Sequence, residues 1–283
     1  SATFTNNATV TGSATFSGQD PTIKTNVFTA GVTLSASNSS NDNNLQGNTF
    51  NSTLAINGSG HEFTTVENNF EGAVTINING DNTKIALGDF NTNATLTANA
   101  GATGLNISGS DFAENVVING ASATFDNNAF HKIFTNTASG LTFSNNDTVT
   151  GIATFSGNNA TIDDNTFTTT AIISGNNASP IANNVRDNTF NGAVTASGDA
   201  NNYTSNNINQ TLTDTGDTNV FTSNTLGANG HITLAGATTP SFNANNTRNL
   251  DIGTTLFYGS TSGVNTLAND THSGTITLKS DLA

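Results

Sequence analysis

The chain has 283 residues, a net charge of −14 and only six Lys and Arg. With no basic cluster anywhere, that balance excludes a nucleic-acid partner and repels anionic membrane surfaces. The absence of Cys excludes a disulfide scaffold and thiolate metal sites.

The predicted elements come in one recurring order. A bulky apolar residue returns about every 20 residues, the mark of a solenoid. It stands at Val10, Phe28, Phe50, Phe70, Phe90, Phe112, Phe130, Val149, Phe167, Phe190, Ile208 and Leu226, and the series continues to Leu250 and Thr271. Two positions ahead of it comes asparagine, at Asn26, Asn48, Asn68, Asn128, Asn165, Asn188, Asn206 and Asn224. A second apolar residue precedes the first by about five positions. Its copies are Ile23, Leu45, Ile85, Ile107, Phe125, Ile162, Tyr203 and Phe221. An alternating run follows, as in Gly72-Ala73-Val74-Thr75-Ile76-Asn77 and Gly151-Ile152-Ala153-Thr154-Phe155-Ser156-Gly157. Its period of two is that of a strand.

This grammar predicts an all-β fold, a right-handed single-stranded parallel β-helix with about 14 coils of about 20 residues. Each coil holds two or three short strands, joined by Asn, Asp, Gly and Ser turns. The Phe series and the Asn series each stack as an internal ladder, and the full stack makes a rod roughly 65–70 Å long. Asparagine suits the turn because it tolerates left-handed backbone angles. A β-sandwich needs segments of different character, and no sustained helical period is found. Residues 1–283 read as one domain, less regular from about residue 236 onward. Extra residues at Ser35–Asn44 and Pro180–Asp187 predict surface loops. Neither end resembles a cap, so the chain reads as a slice of a longer protein or as a subunit that stacks end to end.

Taken together, the ladder residues, the missing Cys and the acidic balance resemble the passenger domains of bacterial type V secreted proteins, the autotransporters and related adhesins. The likeness is one of repeat style along the whole chain. Phe125-Asp126-Asn127-Asn128 and Phe221-Thr222-Ser223-Asn224 look like the Phe-x-x-Asn element of chlamydial polymorphic outer-membrane proteins. The companion Gly-Gly-Ala-Ile motif is missing, so that family is not assigned. The resemblance implies an extracellular or cell-surface location and a host glycan or receptor as partner.

Residues able to carry chemistry are few. A glycan-active β-helix needs clustered Asp with Arg or Lys. Here Lys24, Lys84, Lys132, Arg186, Arg248 and Lys279 are scattered, and Asp163-Asp164 is the tight acidic pair in mid-chain. No catalytic residue and no metal ligand is assigned. His61, His131, His231 and His272 are singletons, expected to be exposed or partly packed. No cofactor is required; calcium could sit only in the oxygen-rich turns around Asp163, Asp164, Asp187, Asp199, Asp214 and Asp217. Thr-x-Thr pairs such as Thr95/Thr97, Thr168/Thr170 and Thr211/Thr213 do not share one place in the repeat, which argues against an ice-binding face. The expectation is a non-enzymatic extracellular structural or adhesive protein. The alternative is a self-assembling filament subunit.

Overall fold

The structure is a computed structural model. It describes residues 3–39, 44–63, 67–72, 74–86, 88–98, 104–120, 122–177, 184–216, 219–227 and 229–235, and the backbone of 247–252, 256–260, 266–267, 271–272 and 276–280. Every regular element among them is a strand.

Three short strands make a coil. The first carries the second apolar series, as in Thr22–Lys24. The second ends on the main apolar residue, as in Val27–Phe28, and the third is the alternating run, as in Val32–Leu34. Each pairs in parallel with its equivalent one coil on: Ile23 with Leu45, Phe28 with Phe50, Leu34 with Ile56. The fold is therefore an all-β parallel β-solenoid. About ten turns are complete, below the about 14 that the period suggests, because past Ala235 only separate strands are described.

The chain divides into two compact units, Ser1–Asp147 and Thr148–Ala283. In the first, Phe28, Phe50, Phe70, Phe90, Phe112 and Phe130 are buried and stack ring on ring, with centroids 4.3–5.4 Å apart. In the second, Val149, Phe167, Phe190, Ile208 and Leu226 pair in sequence, with Phe167 and Phe190 stacked at 5.2 Å. Each buried aromatic contributes roughly 1.5–3 kcal/mol by leaving water, so one bulky apolar residue per coil supplies the second-strand column of the core. Phe63, Phe143 and Val185 also belong to the second apolar series.

Two details of register differ from the sequence reading. Leu226 pairs with Ile252 rather than Leu250, and Ile252 pairs with His272 rather than Thr271. Between Thr222 and Asn224 the pairing also shifts by one residue.

The turn that makes the coils possible lies just before the ladder asparagine. Asn6, Thr25, Gly47, Gly109, Asn127, Asn145, Asp164, Asp187 and Ser205 all have φ between 50° and 60°. The left-handed residue is thus the neighbour of the ladder asparagine, where tolerance of left-handed angles had been credited to the ladder itself. Asn and Asp are favoured there because their short polar side chains accept that conformation at least cost. At the exit of the third strand the second unit uses a glycine column. A Cβ on Gly198 would lie 2.1 Å from the Gly175 carbonyl oxygen, and one on Gly216 would lie 2.1 Å from that of Gly198.

Candidate functional surfaces

Between the first and second strands the asparagine side chains form inner ladders that run over several coils. The backbone N–H and Nδ2 of Asn26 both donate to Oδ1 of Asn48, at 3.1 and 3.0 Å. Asn48 repeats this to Asn68, and Asn128 to Asn146. Asn165, Asn188, Asn206 and Asn224 form the same series in the second unit. The other Nδ2 hydrogen reaches back to a carbonyl one coil earlier, as from Asn48 to Ile23 and from Asn188 to Ile162. Oδ1 takes two bonds and Nδ2 gives two, so burial leaves the amide's polar atoms satisfied. Asn7 and Asn146 also belong to the ladder, whereas Gly88 and Ser110 interrupt it: the Gly88 N–H donates to Ser110 Oγ, and the Ser110 N–H to Asn128 Oδ1. These side chains hold the coils together, and from Asn26 onward they are buried.

A second buried polar corner lies between the third strand and the next first strand. His61 is fully buried, contrary to the expectation of exposure. Its Nε2 lies 2.7 Å from the Ala36 carbonyl and its Nδ1 2.8 Å from Asn44 Nδ2. That pairing requires a neutral ring protonated at Nε2, since Nδ1 must accept. Burial lowers its pKa, partly offset by the Ala36 bond. In the second unit Asn201 accepts from Asn177 and Asn184 and donates its N–H to Asn219, which donates to Asp214. Asp214 points inward, fully buried, and its Oδ1 also accepts from the Gly216 N–H. The Tyr203 hydroxyl is buried without a hydrogen bond. Burial and the nearby Asp214 charge raise its pKa well above the ordinary value. No period in the sequence marks His61, Asn201 or Asn219, because corner residues take their direction from the local turn, whereas Tyr203 stands in the second apolar series.

The residues considered for chemistry are placed as follows. Asp163 lies outward and pairs with Arg186 of the next coil. Asp164 and Asp187 are left-handed turn residues. Asp199 sits in a turn, where its N–H donates to Asn176 Oδ1. His131 pairs with Asp111 at 2.7 Å, and Lys84 with Glu62 at 2.7 Å. Each of these basic side chains meets a carboxylate one coil earlier. Asp217 and the side chains of His231 and His272 lie outside the described residues, as do residues 40–43 and 180–183 of the two expected loops. Among the described residues, no group of three or more His, Asp or Glu converges as a metal site would require.

The outer faces divide by charge. On the first and second strands the outward positions carry Lys24, Lys84, Asp89, Asp111, Asp126, Asp163 and Arg186, while Glu62 is buried and paired with Lys84. On the third strands from Ala14–Phe16 to Thr211–Asp214 the outward positions are Thr, Asn, Ala, Val or Ile, and their one acid, Asp214, faces inward. Pairing sets Thr75 beside Thr95, and Thr195 beside Thr213. Comparison with protein-family models, curated proteins and solved structures gives no match. No helix among the described residues is long and apolar enough to cross a membrane.

Proposed function

We propose that this chain is a non-enzymatic structural or adhesive protein of the cell exterior, a stack of coils that presents a repeated polar surface to a host glycan or receptor. One observation carries the reading: the polar side chains fall into columns that repeat from coil to coil, such as Thr148 beside Thr166 and Thr166 beside Thr189. A surface of this kind offers many equal weak contacts, and their effect multiplies when several engage together. The inner amide ladder supports the same reading. It ties each coil to the next by side chain as well as backbone, which suits a protein exposed to proteases.

The test is binding of the labelled chain, free and displayed on beads, to a glycan panel and to intact cells. Saturable binding that leaves the glycan uncleaved is the expected result. Cleavage would make it an enzyme instead, and no binding even from beads would remove the adhesive role. Negative-stain electron microscopy of the same material separates the filament alternative, which requires long fibres of uniform width.

A further inference from the structure

We propose that the outer face of the third strands in the Thr148–Ala283 unit is a self-association surface, which packs against the same face of a second copy of this chain. The face centres on Ile152, Thr154, Ile172, Ser174, Thr195 and Thr213. Thr154 pairs with Ile172, Ile172 with Thr195, and Thr195 with Thr213, so the column is continuous and in register.

Three observations select a second copy as the occupant. The first is charge. A chain of net charge −14 repels its own copies wherever its acids face out. The described outward positions of these strands carry none, so two copies can meet here without like-charge contact. The second is apolar exposure. Ile133 and Ile152 are the large apolar side chains left exposed among the described residues, at 44% and 42%. Each directly precedes a third strand, one in each unit, and Ile152 stands diagonal to Ile172 across the paired strands. Diagonal neighbours of this kind lie about 7–8 Å apart and touch when the side chains are large. The third is period. The columns repeat at the strand spacing of about 4.8 Å, and the surface certain to share that spacing is another copy of the same face. Rows of Thr, Ser and Ile at equal spacing interdigitate as two stacked sheets do.

The size of the face sets the strength. Four strands at about 4.8 Å and three outward positions at about 6.7 Å give about 400 Å² per copy. That is the small, transient class of interface. The contact is isologous and closes at two copies. This inference is independent of the adhesive reading, since it needs no ligand.

The experiment is sedimentation velocity on the full chain over about 10–200 µM, at low and high salt. The expected result is a monomer–dimer equilibrium that tightens several-fold at high salt, because screening weakens the residual repulsion. Ile152→Glu and Thr195→Glu each place like charges face to face and should weaken the dimer at least about tenfold. Thr166→Glu, on the second-strand face, should leave it unchanged, and circular dichroism checks that all three variants fold. A chain that stays monomeric throughout, even in high salt, overturns the proposal. So does equal loss in all three variants, or mass that grows past two copies.

Discussion

Two inner corners of the coil solve the same problem differently. At the corner between first and second strands, one amide recurs and bonds to its own kind from coil to coil. The corner between third and first strands has no such rule. The position two residues ahead of the inward first-strand residue is Pro21, His61, Thr83, Leu105, Ala123 and Leu141 in the first unit, then Ala160, Asn201 and Asn219 in the second. Both corners are buried. The first is fixed by a side chain that must match its neighbours above and below, so it admits little variation. The second is filled separately in each coil, by apolar packing where the residue is Leu and by an improvised hydrogen-bond network where it is His or Asn. A stack therefore needs one strict corner and can leave the other free.

Substitutions can break or sharpen that contrast. The largest effect is expected at Gly198→Val, which drives a branched side chain into the Gly175 carbonyl at the variable corner. Loss of about 4 kcal/mol or more is expected, read as a lower denaturation midpoint. That result would show that the variable corner is strict in backbone although loose in side chain. Asn188→Ala at the strict corner comes next. It removes two donated bonds and takes the Oδ1 acceptor from the N–H and Nδ2 of Asn165, whose Nδ2 keeps its bond to the Asp163 carbonyl. A cost of about 3 kcal/mol is expected, with faster amide exchange spreading to both neighbouring coils. Exchange confined to its own coil would contradict a shared ladder.

The third effect is one of pH. The buried His61 ring has its pKa held below the ordinary 6.5. The unfolded chain therefore takes up the proton first as pH falls. The His61 contribution to stability is complete above about pH 6.5 and drains away below it. A pH series of melting temperatures on the parent and on His61→Gln checks this: the parent should lose stability from pH 7 to 5 more steeply than the variant. Equal slopes would remove His61 from the corner's energetics. The smallest effect is Tyr203→Phe, which removes a buried hydroxyl that has no hydrogen bond and is expected to stabilise by about 1 kcal/mol. It should also remove any sensitivity above about pH 10, where the unfolded chain loses the phenolic proton before the folded one does.

What the sequence disclosed follows from the same contrast. The strict corner and the Phe column are legible because one residue type recurs at a nearly fixed interval. Phe63 escaped the second apolar series because it stands seven residues before Phe70, where its counterparts stand about five before theirs. His61 was unreadable as an interior residue, since alternation fixes direction only within a strand and it lies just before one, while Asp214 follows the inward alternation of its strand but carries no apolar signal. The neutral third-strand face was hidden too. Thr95 belongs to a third strand, whereas Thr168 lies just past a second strand, and only the pairing separates one kind of threonine pair from the other.

The inner amide ladder also bears on how such a chain can change over generations. Successive rungs in the second unit are separated by 23 residues from Asn165 to Asn188 and by 18 from Asn188 to Asn206, yet the amide contacts stay at 3.0 and 3.1 Å. A rung is indifferent to the length of chain between it and the next. Genetic recombination that joins the sequence after one rung to the sequence after another would still deliver a matched amide and an apolar residue two places on. The molecule can therefore gain or lose whole coils without a compensating mutation, and its length is heritable in steps rather than fixed by the fold.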